Sequence, residues 1–532
     1  MDFFLRNDIM KAEILFYSII KKTEGTMKLK FIAAVLCLLM LALPLLSACG
    51  GSPAPETKGN TLIAETGVKE DPAEVYDQEV KDLQGHEFYF LVRDVTSNHL
   101  KLNEVYADAL TGDKVNDAVF TRNSQLAEKY HCTIAQELVS SPAATAREIL
   151  AAGEYVYDFI FTRTTDLRNL SASGLLVDLF KLQNMQFDKA WYNKGFIEGL
   201  QIAGHLFYVA GDACTIDDRA AFALFFNRDI LQQNRLEDPY QLVEDGTWTV
   251  EKLYEMSEKC AVDTNGDGVW TPGSNDVFAY ICGKAGDYTH VATCGGLYIA
   301  DMVGPGEFNI PGMIKEDILN AWSALRPLLT SPHRDISSNG TTFRTGGGAF
   351  YAVNLAAIQN WGNVAISYGV IPFPKLNLQQ DRYYTCVGNV IDGSFGIPVT
   401  VDSMDEADYK NAGFESGREF CAYFFNAFSY YSRQTLTPAF FEEVLKKQMV
   451  RDDTAAHMIE LLMESKIYDP VYFFNFGSLY NIFNIAATGG GDLVDGTNYD
   501  TLTSLYNERY LSARTSLIKY LDVLETIDNE NV

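Results

Sequence analysis

The spacing of apolar and polar residues along the first third of the chain predicts short strands that alternate with helices. Apolar residues run together or alternate over 86–93, 132–134 and 157–161, which is typical of strands. Between these stretches, apolar residues recur at helical spacing over 116–130 and 143–152. Strands that alternate with helices in this way favour parallel βαβ units.

The same alternation continues in the rest of the chain. The stretch 221–227 is almost wholly apolar and predicts a buried strand, and Thr249 stands where it can cap a helix over 249–261. A strand over 368–371 and helices over 418–431 and 454–466 follow. A last helix carries one apolar stripe at steps of three and four residues, formed by Leu502, Tyr506, Tyr510, Ala513, Leu517, Leu521 and Leu524.

A secretory leader precedes these elements. An apolar run over 31–48 follows a short basic stretch at 27–30 and ends in Leu46-Ser47-Ala48-Cys49, the pattern of a lipoprotein cleavage site. We therefore predict a signal peptide over 27–48, with translation starting at Met27, and acyl chains such as palmitate on Cys49. The alternative is a buried apolar helix that ends in a core cysteine. Residues 1–26 contain acidic residues that a basic leader lacks, and they are excluded from the fold.

The lipid would hold the rest of the chain at the extracellular face of the cell membrane. Residues 49–85 are rich in Gly, Pro, Thr and acidic side chains and show little apolar periodicity, so they are predicted to form a flexible stalk. At 532 residues the chain exceeds what one hydrophobic core usually organises, which favours two lobes.

Charge argues against a nucleic-acid-binding protein, and cysteine content argues against a protein held together by disulfides. The chain has 42 Lys and Arg against 70 Asp and Glu, a formal charge of −28, and no basic patch, so nucleic-acid binding is disfavoured. The cysteines outside the leader and the lipidation site are odd in number and widely spaced, unlike a disulfide framework. Cys282 and Cys294 could form a bridge, although buried thiols are the favoured interpretation.

Sequence signatures of enzymes are mostly absent. The chain has no GxxxxGK[ST] phosphate loop, no GxSxG elbow and no HExxH helix, and its seven histidines are scattered. Acidic residues are numerous enough for two carboxylates to face a cleft, as in a glycosidase. A surface glycosidase therefore stays open as an alternative function.

One loop has the spacing of a calcium site. Oxygen-bearing side chains stand at the first, third and fifth positions of the stretch 263–274, and glycine is sixth. The twelfth position is Ser274 instead of the usual glutamate, so an ordinary Asp/Asn/Gly turn is the alternative. The predicted ligands of a structural Ca²⁺ are Asp263, Asn265, Asp267, the Val269 carbonyl and Asp276.

Aromatic residues are abundant, with 33 Phe, 29 Tyr and 5 Trp. Most must pack in the core. Several stand next to Gly, Asn or Asp in predicted loops, where a ring can stack on the CH face of a sugar while amides and carboxylates bind its hydroxyls. These candidates are Trp191, Tyr208, Tyr351, Trp361 and the cluster at 473–476.

Seven stretches, in this order behind the lipoprotein motif, resemble the extracellular solute-binding proteins of carbohydrate ABC transporters, family 1, related to maltose-binding protein. They are VNDAVFTRN (115–123), YDFIF (157–161), GLLVDL (174–179), FFNRDIL (225–231), GTWT (246–249), the loop that starts at Asp263, and YGVIPFP (368–374). The resemblance implies a type II periplasmic-binding-protein-like α/β fold. Two lobes, each a mixed sheet flanked by helices, are joined by hinge crossings and close on a ligand.

The resemblance also implies lobe boundaries and ligand contacts. Lobe 1 would comprise 86–208 and 393–435, and lobe 2 would comprise 209–392 and 436–532. The turn at 162–166 is similar to a sugar-contacting loop of the first lobe, and the segment 351–361 is similar to one that supplies a stacking aromatic from the second. The ligand-binding residues expected by the resemblance and by the aromatic pattern are Arg93, Asp94, Arg163, Asp166, Trp191, Tyr208, Tyr351, Asn354 and Trp361.

The function expected from these features is that of a lipid-anchored, monomeric receptor. It would capture a carbohydrate, in particular an oligosaccharide, and deliver it to the permease subunits of an ABC importer. It would not be an enzyme. The alternatives are the surface glycosidase and a receptor for a peptide or another solute on the same scaffold.

Overall fold

The computed structural model describes residues 73–94, 104–283, 287–336, 340–361, 364, 366–388, 392–447, 453–488 and 498–530. All of them belong to one compact unit, Glu70–Val532. The predicted signal peptide, the lipidation site at Cys49 and the stalk as far as residue 72 lie outside the described residues.

Strands and helices alternate along the chain, as the apolar spacing predicts. The strands are β1 (Glu87–Arg93), β2 (Thr133–Val139), β3 (Phe159–Arg163), β4 (Phe222–Asn227), β5 (Phe278–Cys282), β6 (Asp301–Gly304), β7 (Glu307–Asn309), β8 (Arg334–Asp335), β9 (Gly348–Asn354), β10 (Tyr368–Ile371), β11 (Thr385–Cys386), β12 (Asp392–Gly396) and β13 (Lys466–Ile467). The α-helices are α1 (Lys114–Tyr130), α2 (Pro142–Ala152), α3 (Thr164–Ser171), α4 (Lys194–Leu200), α5 (Ile216–Arg219), α6 (Arg228–Gln233), α7 (Pro239–Glu244), α8 (Val250–Glu258), α9 (Asp287–Gly295), α10 (Glu316–Thr330), α11 (Thr341–Arg344), α12 (Glu406–Lys410), α13 (Gly417–Lys447), α14 (Asp453–Glu464), α15 (Pro470–Phe473), α16 (Asn481–Thr488) and α17 (Asn498–Glu530).

The first sheet has the strand order β12-β3-β1-β2. β1 pairs in parallel with β2 and β3, and β12 runs antiparallel to β3. The long helix α13 covers one face of this sheet. The ring of Phe424 stacks on Phe88 with centroids 3.6 Å apart, and Phe428 lies 5.4 Å from Phe90. Aromatic pairs of this kind bury large apolar areas and hold the helix on the sheet.

The second sheet has the order β10-β4-β9-β5-β8 and mixes parallel with antiparallel pairs. Every residue of β4 is buried, as expected for a central strand that is covered on both faces. On one face, Phe225 packs in a cluster with Phe440 of α13 and Leu462 of α14. Two mixed sheets flanked by helices confirm the predicted two-lobe α/β fold.

Several segments in the described part of the chain connect the lobes. Helix α5 leads from the first lobe into β4, and the stretch between β11 and β12 leads back. Helix α13 packs on the first sheet through Phe424 and reaches the cluster of the second lobe at Phe440. Ala221 bridges Val387, so the first two crossings run side by side.

The predicted elements and the observed ones differ mainly in their ends. The helix predicted to follow Thr249 is α8, and the Thr249 hydroxyl accepts a hydrogen bond from the Lys252 amide, which confirms the cap. The helix predicted over 418–431 continues to Lys447. Its extension buries Leu436 beside Val119 of α1 and places Phe440 in the apolar cluster of the second lobe.

The predicted stalk over 49–85 requires a correction at its end. From residue 73 the chain lies against the first lobe. Leu83 is fully buried, and the ring of Tyr76 stacks on Tyr430 with centroids 4.5 Å apart. The Lys81 amide donates to the Tyr423 hydroxyl at 2.8 Å. These isolated apolar anchors lie among polar residues, which is why periodicity alone did not reveal them.

The boundary implied between residues 208 and 209 also shifts. Val209 forms an antiparallel bridge with Phe395 of β12, and the Val209 amide donates to the Phe395 carbonyl at 2.9 Å. The segment that follows residue 208 therefore extends the first sheet before the chain crosses at α5. The implied boundary placed this segment in the second lobe.

Helix α17, which the implied boundaries place in the second lobe, touches both lobes. The hydroxyl of Tyr520 hydrogen-bonds Ser171 at 2.7 Å, and that of Tyr506 donates to the Pro311 carbonyl at 2.8 Å. Most of its predicted apolar stripe is buried, but Leu521 is 37% exposed.

Two further features concern membranes and thiols. Among the described residues, no helix is both long enough and apolar enough to cross a bilayer. The cysteines that the structure describes are buried and form no disulfide with one another, in agreement with the favoured interpretation over a bridge between Cys282 and Cys294.

Candidate functional site

The carboxyl ends of β1 and β3 bring predicted contact residues to one edge of the first sheet. Val92 pairs with Phe161, so Arg93 lies at the level of Thr162, and Arg163 is one residue further along the neighbouring strand. The Asp94 amide donates to the Val139 carbonyl at 2.8 Å, which continues the pairing of β1 with β2 as far as Asp94. We call the group formed by Arg93, Asp94, Arg163 and Asp166 the strand-end edge.

Residues of the strand-end edge are partly exposed. Asp166 lies in the first turn of α3, where a carboxylate is favoured by the helix dipole, and accepts a hydrogen bond from the Thr162 hydroxyl at 3.2 Å. The crossing strand β12 begins opposite Arg163. Charged donors and acceptors thus meet beside a crossing between the lobes, the position expected for a ligand clamped by lobe closure.

The three candidates from the second lobe lie near the end of β9. Asn354 pairs with Phe222 at the start of β4, is partly exposed, and precedes a 3-10 helix, Leu355–Asn360. Tyr351 and Trp361 are 5% and 6% exposed. Their rings lie 6.2 Å apart, and the Trp361 ring also packs 4.7 Å from Phe225.

The enclosure of Trp361 corrects the expectation that this ring stacks on a sugar. Phe343, at 5.4 Å, and Tyr368, at 5.0 Å, complete the ring's surroundings. In this conformation neither Trp361 nor Tyr351 offers a free face, so both side chains serve packing. Aromatic residues near Gly and Asn look alike in sequence whether they pack or bind, and only the burial separates the two roles.

Trp191 and Tyr208 are core residues of the first lobe. Trp191 is fully buried, and its indole N–H donates to the Asn426 side chain at 2.9 Å. Tyr208 is 2% exposed, and its hydroxyl has no hydrogen-bond partner among the described residues. Burial raises the pKa of Tyr208 well above its usual range. These rings give the site a rigid wall and no stacking surface.

A cavity of about 670 Å³ lies between the lobes, and we call it the interlobe cavity. One wall is the backbone around Trp191 and the side chain of Asn193 from the first lobe. Helix α13 contributes Arg433, Thr437 and Phe441, which lie four residues apart on one helical face. Helix α14 contributes Ala456, Ile459 and Met463 at the same kind of spacing, and Lys466 follows it.

A buried ionic cluster lines the interlobe cavity. Lys466 Nζ lies 2.8 Å from Asp217 and 2.6 Å from Asp218, and the lysine side chain is 9% exposed. Asp217 also accepts a hydrogen bond from the Asn193 amide group at 2.7 Å. Burial raises the pKa of Asp218 to about 7, with Asp217 adding to the shift and Lys466 opposing it.

A second ion pair lies beside the first. Arg433 Nη1 donates to Asp212 at 2.9 Å, and the Thr437 hydroxyl donates to the same carboxylate at 2.6 Å. Burial raises the pKa of Asp212. No motif predicts either cluster, because the partners are far apart in sequence. The adjacent acids Asp217-Asp218 in front of a predicted buried strand were the one available signal.

The predicted calcium loop folds around its own amides. Asp263 accepts hydrogen bonds from the amides of Gly266 and Gly268, each at 2.7 Å. Asp267 accepts from the Val269 amide at 2.8 Å, and Asn265 from the Asp267 amide at 2.8 Å. The loop is therefore a turn in which these side chains hydrogen-bond the loop's own amides.

Asp276 is hydrogen-bonded to residues of the same loop. It is 1% exposed and accepts hydrogen bonds from Thr264 and Ser274, which lower its pKa to about 2. In the described residues, no three His, Cys, Asp or Glu side chains are grouped to hold a metal ion. Calcium binding at this loop stays a prediction.

Comparisons with known proteins bear on the fold. No protein-family model matches the chain, and no curated protein matches it. Among solved structures, the ABC substrate-binding protein Lmo0181 from Listeria monocytogenes, solved in complex with cycloalternan, is similar at a TM-score of 0.50 with 13% identity. The match covers 80% of this chain and 99% of that chain.

The GacH receptor of Streptomyces glaucescens aligns with a TM-score of 0.48 and 12% identity, over 81% of this chain and 99% of that chain. The similarity to Lmo0181 extends over nearly the whole of that chain, 99% of it. At this identity the similarity shows the fold alone. The chain has the two-lobe fold of the ABC substrate-binding proteins.

Proposed function

We propose that the protein is a receptor that captures a carbohydrate outside the cell and delivers it to an ABC importer. The observation that carries this proposal is the two-lobe fold shared with Lmo0181, which was solved with the carbohydrate cycloalternan. The charged strand-end edge beside the crossings agrees with it. A receptor needs donors, acceptors and closure, and it needs no catalytic group.

The proposed contacts are those of the strand-end edge. Arg163 would donate to sugar hydroxyls and Asp166 would accept from them, with Arg93 and Asp94 on the adjacent strand end. Asn354 would add an amide from the second lobe. These side chains are partly exposed, so they can reach a ligand without unfolding their surroundings.

A ligand screen tests the proposal directly. We expect trisaccharides to raise the melting temperature of the purified protein, since a ligand at a hundred times its Kd adds about 2.7 kcal/mol to the free energy of unfolding. A matched panel of tripeptides separates the carbohydrate receptor from the peptide receptor. Stabilisation by peptides and by no sugar would contradict the carbohydrate assignment.

We also propose that Cys49 carries lipid and anchors the receptor at the extracellular face of the membrane. The motif at 46–49 behind a basic and apolar leader supports this. Cys49→Ser should release the protein from membranes or leave the leader uncleaved. Cys37→Ser, inside the leader, is the matched control and should leave anchoring intact. A mature-sized Cys49→Ser protein that stays in the membrane fraction would contradict the anchor.

A glycosidase is the second candidate, and one observation favours it. Asp217 and Asp218 face one cavity, and the pKa of Asp218 lies near 7, as in acid–base pairs of hydrolases. However, Lys466 donates hydrogen bonds to both carboxylates, which argues that Asp217 and Asp218 have a structural role. Hydrolysis of an oligosaccharide that is abolished by Asp218→Asn would establish the enzyme. If the protein binds an oligosaccharide and does not hydrolyse it, the result supports the receptor function and contradicts the glycosidase.

A further inference from the structure

Helix α17 is joined to the second lobe near its beginning. The Tyr506 hydroxyl donates to the Pro311 carbonyl, which follows β7, at 2.8 Å. Helix α17 also packs on α16. The Phe483 ring of α16 lies 5.4 Å from Tyr288 of α9 and 5.9 Å from Trp322 of α10. The first half of α17 is therefore attached to helices and loops of the second lobe.

The second half of α17 is joined to the first lobe through α3. The hydroxyls of Tyr520 and Ser171 hydrogen-bond each other at 2.7 Å, and both residues are buried. Tyr520 follows Tyr506 by fourteen residues, so the two attachments lie about 21 Å apart along the helix axis. One helix thus reaches from the second lobe to α3 of the first.

The turn between α15 and α16 makes a second connection from α17 to α3. Arg168 of α3 donates to the Phe474 carbonyl in this turn. The Phe474 ring lies 5.4 Å from the ring of Tyr520. Gly477, in the same turn, has a φ of +56°, and a Cβ there would lie 2.5 Å from the Ala513 nitrogen. Helix α17 therefore lies directly on the backbone of the turn that Arg168 holds.

The two connections meet on one face of α3. Arg168 and Ser171 are three residues apart, so their side chains leave α3 on the same side. We call the group formed by Arg168, Ser171, Phe474 and Tyr520 the α3 clasp. Helix α3 also carries Asp166 of the strand-end edge in its first turn. The clasp therefore holds the same short helix that presents this edge.

The clasp differs from the covalent crossings between the lobes. A crossing can absorb a rotation of the lobes by changes in a few backbone dihedral angles. Helix α17 has 33 residues and a fixed rise per residue, so it cannot lengthen when its two attachments move apart. We propose that α17 restrains the relative motion of the two lobes, and that the lobes separate only when the α3 clasp opens.

The competing role for α17 is that of a cover for apolar surface. A cover contributes to stability, and loosening it leaves the spacing of the lobes unchanged. A backbone hydrogen bond between the lobes distinguishes the two roles. The Ala203 amide of the first lobe donates to the Gly306 carbonyl, at the tip of the β6–β7 hairpin, at 3.0 Å. If the clasp restrains the lobes, opening it should also expose this amide to exchange.

The test removes one hydroxyl of the clasp and measures hydrogen exchange in the full-length protein. Tyr520→Phe loses the bond to Ser171 and keeps the ring. Tyr157→Phe is the matched control, since the Tyr157 hydroxyl donates to Glu137 at 2.6 Å within the first lobe. In Tyr520→Phe, amide exchange over 514–527 and at Ala203 should rise about fivefold, the equivalent of one hydrogen bond. In the control, both should stay at the wild-type rate.

Two further variants complete the test. Ser171→Ala should reproduce Tyr520→Phe, and the double variant should add little to either, because both changes remove the same bond. Tyr520→Ala removes the ring as well and should increase the radius of gyration in small-angle X-ray scattering, whereas Tyr157→Ala should leave it unchanged. If Tyr520→Ala does not fold, the exchange in Tyr520→Phe decides.

Two results would overturn the clasp. Faster exchange over 514–527 with an unchanged rate at Ala203 would show that α17 is a cover that opens without moving the lobes. Wild-type exchange at both places, in Tyr520→Phe and in Ser171→Ala, would show that the clasp carries no restraint. Faster exchange at both places, absent from the control, supports the proposal.

Discussion

The strand-end edge and the interlobe cavity both lie beside crossings between the lobes, yet their charged side chains differ in exposure and in ion pairing. At the edge, Arg163 and Asp166 are partly exposed, and they lie at the end of β3 and in the first turn of α3. In the cavity, Lys466, Asp217 and Asp218 are almost enclosed and bonded to one another. An exposed charge can be exchanged for a ligand contact at little loss of stability. A buried cluster also holds the fold, because each member compensates its neighbours.

The strongest test of this contrast removes the central cation of the cavity. Lys466→Met leaves two buried carboxylates without their partner, so the free energy of unfolding should fall by about 3–5 kcal/mol. Lys259→Met breaks an exposed pair with Glu255 and is the matched control. Urea unfolding measures both. A stability of Lys466→Met equal to that of the control would show that the cluster is not a structural unit.

The second test compares one ring and one carboxylate, both predicted as sugar contacts. Trp361→Ala should lower the free energy of unfolding by about 3–5 kcal/mol, because the ring is enclosed by other aromatics. Asp166→Ala should leave unfolding near wild type and weaken sugar binding by about 1–3 kcal/mol. Unchanged affinity in Asp166→Ala, for a sugar that wild type binds, would remove Asp166 from the site.

The third test uses pH. The pKa of Asp218 is about 7 in the folded chain and near its usual 3.8 in the unfolded chain, so between these values the folded state binds the additional proton. Stability from this group is therefore lost as pH rises from about 4 to 7. Asp218→Asn should flatten the dependence of the unfolding free energy on pH in that window. Asp245→Asn, an exposed acid, should keep the wild-type slope, and an identical slope in both variants would contradict the raised pKa.

The smallest expected effect is that of calcium. If Ca²⁺ binds at the 263–276 loop, chelation should lower the melting temperature by a few degrees at most, since the turn is already hydrogen-bonded. Asp267→Ala should abolish the response to chelator. An unchanged melting temperature in wild type would leave the loop as an ordinary turn.

Sequence patterns predicted the fold better than the site. The apolar runs at 86–93 and 221–227 correspond to β1 and β4, because buried strands must be apolar wherever they lie. The placement of Arg93 and Arg163 at one edge of the sheet followed from parallel strands that end there. The pairing of Lys466 with Asp217 could not be predicted, since it joins residues 249 apart and depends on how the lobes meet.

The order in which the segments of the two lobes follow one another along the chain affects how the protein folds. β12 completes the first sheet, and Ser394 within it hydrogen-bonds Thr164, which lies 230 residues earlier. A chain emerging from the ribosome therefore cannot finish its first lobe until most of the second has been made. Contacts between residues so distant in sequence form slowly. A nascent chain with the leader predicted here would remain unfolded long enough to pass through a secretion channel, and folding would be completed on the far side of the membrane.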